Sequence, residues 1–214
     1  MKKPSEWRIT ISKGNRKMGN IPSFSVYPLK TCTKEACYSC GKNGCYAVKL
    51  ARIYKNVADS WMENTMAVVY DIQRVYHEIY AYIKKHNCEY FRYDVAGDFF
   101  SELYFKMTCE LASDFPATRF LAFTKQYDVI LNYIAGNGPI PANFSLIVSA
   151  PWDKQEAETN KAFITLSRMF PVAYTFKDVF EFDGNTMLCP GNCIECTECF
   201  YLRDIGFNVA FKKH

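Results

Sequence analysis

Apolar and polar positions along this chain alternate between two periods. A short apolar run at 24–27 reads as a strand. It is followed, over 60–85, by a stretch in which Met62, Met66, Val69, Tyr76, Ile79 and Ile83 recur at helical spacing. Ser60 and Glu63 stand in capping-box spacing at its start, so the pattern predicts one long helix with those six side chains facing the core. EYFRYDVAGD then reads as a strand ending at Gly97-Asp98, and 101–114 as a helix closed by Pro116. TRFLAFTK gives a strand ending at Thr124-Lys125, and a short helix over 127–134 stops at Gly136. A strand over 144–149, a helix over 155–169, the strand PVAYTF and a last strand FNVAFK complete the series.

About six strands separated by helices imply right-handed crossovers and a mostly parallel sheet. The expected fold class is α/β: a partial, open (β/α)6 TIM-like barrel, with a doubly wound sheet as the alternative, since about 250 residues are usual for a closed eightfold barrel. The chain has 214 residues and no internal repeat or linker, so 1–214 is expected to be a single domain. Sites in parallel folds form at the carboxyl ends of the strands. Asp98, Lys125 and Ser149 end successive predicted strands and would line that edge.

Composition changes the picture through cysteine. Eight of the ten cysteines fall in two clusters, Cys32, Cys37, Cys40 and Cys45 in a loop over 29–48, and Cys189, Cys193, Cys196 and Cys199 in a loop over 187–201. Each loop follows a predicted strand, so both are expected to emerge at the carboxyl edge, where curvature of the sheet could bring them together. Hydrophobic residues make up 49% of the chain, so a packed core is available without disulfide staples. MKKPSEWRIT lacks the apolar run of a signal peptide, and no later segment is apolar enough to span a membrane. The expected location is the cytoplasm of a host cell, where clustered thiols serve metals or catalysis.

Four thiols in a short stretch are the ligand set of zinc or an iron–sulfur cluster. The first set reads C-x4-C-x2-C-x4-C and the second C-x3-C-x2-C-x2-C, and neither is the paired C-x2-C of a zinc ribbon. Uneven gaps in one dense loop favour a [4Fe-4S]-type cluster, with zinc as the alternative metal. Asp98 could hold an amino group or tune a cluster, or simply cap the next helix. Lys125 could hold an anion or offset a thiolate-bound cluster, or be a solvated helix-start lysine. Tyr46 and Trp152 could wall a cofactor pocket or pack at its rim. Cys88 and Cys109 read as small buried hydrophobes, and His77, His86 and His214 make no Cys–His pair.

The runs KMGNIPSFSVYPLKTC, GCYAVK, AGDF, FLAFTKQYD, PANFSLIVSAPW and CPGNCIECTEC, from Lys17 to Cys199, resemble the phage-encoded gene product 88 family. A second likeness is to radical SAM enzymes, especially phage proteins similar to spore photoproduct lyases. It rests on Cys45-Tyr46-Ala47, Thr124-Lys125 and Val148-Ser149 in the strand order, with Ala96-Gly97-Asp98 in the place of the acidic motif that holds the methionyl amino group. That likeness implies S-adenosylmethionine as a cofactor bound near Tyr46, Asp98, Ser149 and Trp152, and Asp98 and Lys125 as catalytic residues. The C-x3-C-x2-C spacing of such enzymes occurs here at Cys189, Cys193 and Cys196, late in the fold. Two functions are therefore expected in competition. One is an iron–sulfur protein doing redox or radical chemistry on a small molecule or with a redox partner. The other is a zinc-stapled module that binds nucleic acid, for which the net charge of +4 and the aromatic content speak.

Overall fold

The structure is a computed structural model and describes residues 3, 6–34, 44–176 and 185–212. Strands β1 (Ser23–Phe24), β2 (Tyr90–Tyr93), β3 (Arg119–Thr124), β4 (Phe144–Ser149), β5 (Val172–Phe176), β6 (Thr186–Leu188) and β7 (Asn208–Lys212) form one sheet. Its order is β1-β2-β3-β4-β5-β7-β6, and every neighbouring pair is parallel. The α/β reading holds. The sheet is not closed among the described residues, with β1 and β6 as its edges, so what the structure shows is an open parallel α/β sheet, the coarser part of the expected partial TIM-like barrel.

Helices α1 (Tyr46–Ile53), α2 (Lys55–Tyr70), α3 (Ile72–His86), α4 (Glu102–Asp114), α5 (Tyr127–Asn137), α6 (Lys154–Thr159), α7 (Lys161–Ser167) and α8 (Leu202–Ile205) fill the connections. Side-chain alternation along the strands divides the apolar residues in two. Phe91, Tyr93, Phe120, Ala122, Phe144, Leu146 and Val148 pack with Val75, Ile79, Ile83, Phe105, Leu111, Ile130 and Phe163 from the helices. Leu121, Ile147, Ala173 and Val209 point the other way and meet Met18, Ile21, Phe200 and Leu202.

The expected long helix over 60–85 is two helices. Asp71 breaks it, with φ −155 and ψ 64, and its side chain accepts a 3.2 Å hydrogen bond from the Arg74 backbone N–H as the N-cap of α3. The hydrophobic period shifts across that break. Val69, expected in the core, is 54% exposed, while Ala67 and Val68 are buried. Ser60 caps nothing: its hydroxyl donates to the Asn56 carbonyl one turn back, inside α2. Asn160 splits the expected helix over 155–169 in the same manner, accepting from the Phe163 backbone N–H at 3.0 Å.

Where the chain leaves β2, it makes a tight crossing. Gly97 has φ +82, and a Cβ there would lie 2.5 Å from Val26 Cγ2, 2.6 Å from the Val26 carbonyl oxygen and 2.8 Å from Thr31 Oγ1. Two of those neighbours cannot retreat without moving the chain after β1. Replacing Gly97 with Ala is therefore expected to cost about 3 kcal/mol in chemical denaturation, from the positive φ and the overpacking together. A loss well under 1 kcal/mol would show that the close approach of these two chain segments is wrong.

A thiol-walled cavity and a knotted sheet edge

Two groups of the expected residues sit in different places. The first is the carboxyl edge of the sheet, where Asp98 is buried. Its Oδ1 accepts from Thr124 Oγ1 at 2.6 Å and from the Phe99 backbone N–H at 2.8 Å. Its Oδ2 accepts from the Lys125 backbone N–H at 2.8 Å. The Asp98 N–H in turn donates to Thr31 Oγ1 at 3.2 Å, and Gln126 Nε2 donates to the Thr31 carbonyl at 2.7 Å. The Asp98 carboxylate thus ties the chain after β2 to the end of β3, and its backbone N–H together with Gln126 ties both to the chain after β1. The helix cap expected of Asp98 belongs to Ser101, which accepts from the Tyr104 N–H.

Lys125 turns its ammonium to the Ala150 carbonyl and lies 5.7 Å from the centre of the Trp152 ring. The Ser149 carbonyl accepts from the Tyr127 hydroxyl at 2.6 Å. Tyr46, at the start of α1, donates its hydroxyl to the Val95 carbonyl just past β2. So Lys125, Ser149 and Trp152 meet at one edge, and Tyr46 stands over the end of β2. Cys32 follows Thr31 there, and Cys45 is the N-cap of α1. Cys37, Cys40 and His214 lie outside the described residues.

Asp94 was not expected at all. It ends β2 with φ +49, is buried, and accepts from the Tyr104 hydroxyl at 3.0 Å through Oδ1. Burial, then the neighbouring Asp98, push its carboxyl well above the usual range, so it is held as the neutral acid. The signal was two acids four residues apart at a strand end, of which only the glycine-flanked one drew notice.

The second place is the sheet face opposite the main helices. The segment after β6 crosses that face. The Cys189 N–H donates to the Ala210 carbonyl of β7 at 2.9 Å, and Ser145 of β4 donates its hydroxyl to the Cys199 carbonyl at 2.7 Å. Midway, the Cys193 N–H donates to the Lys17 carbonyl at 2.7 Å. Lys17 belongs to a turn closed by the Asn15–Gly19 pairing. Anchored in this way, Cys189, Cys193, Cys196 and Cys199 all line one small cavity of about 50 Å³ that opens to solvent. Leu121, Phe123, Met187 and Phe211 give it apolar walls, and Cys32 and Cys45 are not among its lining. The expectation that both cysteine loops emerge at the carboxyl edge is corrected by this crossing, since Cys199 reaches the start of β4.

Arg92 also lines the cavity. Its guanidinium lies 5.0 Å from the centre of the Phe123 ring. Its Nε is buried with no hydrogen-bond partner, and no carboxylate pairs with it among the described residues. A charged side chain inside the apolar run YFRY was the available signal, and it was passed over. Burial raises the Cys193 thiol, and pushes Cys199 up to about 12, with the other thiols adding to the rise and Arg92 opposing it. Thiols held protonated in this way are poor nucleophiles. Of the other cysteines, Cys109 is buried among the helices as expected, while Cys88, also expected to be buried, is half-buried at their margin.

An open, all-parallel α/β sheet with a thiol-walled cavity on one face defines the class. Within that class the chain belongs to a family: the model described as Gene product 88 matches residues 5–187. The match stops just before Cys189, so the cavity's four cysteines lie beyond the matched residues. No curated protein and no solved structure matches the chain. These findings correct the second likeness. The matching family is gene product 88, and radical SAM character finds no support. The metal-binding and iron–sulfur character expected from spacing is corrected too. Among the described residues, no group of three or more His, Cys, Asp or Glu stands ready to hold a metal ion. Among those residues, too, no helix is long and apolar enough to cross a membrane.

The buried Asp98 makes a pH prediction. Desolvation is the largest influence on its carboxyl and outweighs the hydrogen bonds it accepts, raising it from 3.8 to about 6. Between those values the folded form keeps the proton and the unfolded form loses it. Stability from this group is therefore full at low pH and lost as pH rises through about 6. Asp98→Asn does not titrate and serves as the reference. The stability of the wild type relative to this variant should fall by about 3 kcal/mol between pH 4 and 7, measured by urea denaturation at each pH. A difference that stays constant over that range would mean that the carboxylate is ionised throughout.

Proposed function

We propose that this gene product 88 chain works through the thiol-walled cavity, as a protein that binds a thiophilic group. Thiols of Cys189, Cys193, Cys196 and Cys199 line its berth, no three of them converging as a metal site, and Arg92 supplies positive charge against a thiolate that binding creates. The observation that carries this reading is that four thiols and a half-buried arginine, whose Nε makes no hydrogen bond, line the same space. Each is costly to bury alone. A half-buried cation whose Nε lacks a hydrogen bond, and the Cys193 and Cys199 thiols pushed toward their neutral form, both gain if an electrophilic group draws the thiols into their anionic form. The cavity supports a ligand role for these cysteines over a nucleophilic one, because reactive thiols sit where their pKa is lowered.

The carboxyl edge belongs to the same reading. Lys125, Ser149 and Trp152 stand where parallel sheets receive substrates, and are the side chains that a small-molecule substrate arriving there would meet. Asp98, with both oxygens engaged by Thr124, Phe99 and Lys125, acts as a positioning residue for Lys125 and not as a group that touches substrate.

The test is native mass spectrometry and thiol counting on protein purified without oxygen. The expected result is an added mass, with Cys189, Cys193, Cys196 and Cys199 unreactive to Ellman's reagent until that mass is stripped. Cys193→Ser combined with Cys196→Ser should abolish the added mass. Arg92→Gln should weaken its retention about tenfold or more, as loss of a buried charge partner does. Cys88→Ser should change neither. Elemental and acid-labile sulfide analysis of the stripped fraction identifies the group. A bare mass with all four thiols freely reactive would overturn the reading.

A further inference from the structure

The net charge of +4 conceals a division within the chain. Residues 1–55 hold twelve Lys and Arg against two acids, Glu6 and Glu35. Residues 56–214 hold fourteen against twenty. The first quarter is thus strongly cationic and the remainder is anionic, an asymmetry that compaction alone does not require.

The fold keeps those cations in water. Lys13, Arg16, Lys17, Lys30, Lys34 and Lys49 are all exposed, and none takes part in an ion pair among the described residues. They occupy two neighbourhoods. Lys13, Arg16 and Lys17 lie in and beside the turn closed by Asn15 and Gly19, which packs on the cysteine segment through Lys17 and Cys193 and through Gly19 and Ile194. Lys30 and Lys34 flank Thr31 at the carboxyl edge, and Lys49 is on α1, which Tyr46 ties to the end of β2.

Two aromatic rings stand among these charges. Tyr46 is 54% exposed and Tyr54, at the carboxyl end of α1, is 52% exposed. Large exposed rings beside unpaired cations are the two components of a surface for single-stranded nucleic acid. Phosphates are neutralised by lysine and arginine, and bases stack on the rings without regard to sequence. Duplex readout needs an element inserted in the major groove, and α1, eight residues long and held to β2 through Tyr46, offers no such projection.

We propose that the surface presented by residues 13–34 and 44–54 docks single-stranded nucleic acid, with phosphates on Lys13, Arg16, Lys17, Lys30, Lys34 and Lys49 and bases on Tyr46 and Tyr54. The surface is independent of what the cavity binds. The test uses the full chain and fluorescence anisotropy of a labelled oligothymidylate of about 20 nucleotides, long enough to cover two OB-fold-sized sites. The logarithm of affinity should fall linearly with the logarithm of salt, with a slope near −3 or steeper for four or more neutralised phosphates. Reversing Lys13, Arg16 and Lys17 together to Glu should weaken binding by about tenfold or more. The control Lys84→Glu with Lys85→Glu, on α3, should weaken it by about twofold at most. Tyr54→Ala should cost about tenfold, the loss of one stacked base. If the triple reversal does not fold by circular dichroism, Lys30→Glu with Lys34→Glu takes its place. Equal losses in the basic-surface and control variants would overturn the proposal. So would a flat salt response, tighter binding to duplex than to single strand, or binding only to phosphatidylserine vesicles.

Discussion

A parallel sheet cannot leave either face to water. Its strands are apolar on both sides, and each face needs a cover. Here the helices between successive strands cover one face, with Phe91, Phe120 and Phe144 buried against Ile79, Phe105 and Ile130. The other face carries Leu121, Ile147, Ala173 and Val209, and the described helix that reaches it is the one-turn α8, through Leu202. Its cover is assembled from the two ends of the chain: Met18 and Ile21 from the early turn, Phe200 and Leu202 from the late segment. The cysteines are drawn inside because the segment that must lie on this face is the one that carries them.

That constraint sets the chemistry. A segment pinned to β7 at Cys189, to the early turn at Cys193 and to β4 at Cys199 cannot swing its thiols out to solvent. Nor can it close completely over the sheet, because Arg92 and Phe123 rise from β2 and β3 beneath it. What is left is a cavity with soft donors on one side and a cation on the other. The carboxyl edge is organised by a different interaction, the three hydrogen bonds that Asp98 accepts. It fixes the start of the connection after β3 against the one after β2, and so fixes where Lys125 stands.

The strand order of the first five strands was readable because each strand is a compact apolar run and each connection has a helical period. Helix boundaries were less so. Asp71 and Asn160 interrupt helices by capping the next one, and a polar residue on a helix surface looks the same in sequence whether or not it caps. β6 is three residues long, TML, and was hidden beside the cysteines. The residues of the site divided in a similar way. The cysteines announced themselves by spacing, but spacing says nothing about which face a loop crosses. Arg92 and Asp94 were missed because their meaning depends on what lies across from them: thiols for one, the Tyr104 hydroxyl and a second acid for the other. The division of charge was in the sequence throughout and was masked by a mild total.

The family places the chain among gene product 88 proteins, and the physical account places its chemistry on the face that the chain's own ends must cover. The most direct measurement is a crystal structure of protein isolated and crystallised without oxygen. The account requires density for a bound group in the cavity, bonded to Sγ atoms of the set Cys189, Cys193, Cys196 and Cys199, with the Arg92 guanidinium facing it. Cysteine side chains turned out to solvent, over a face packed shut by other residues, would contradict it.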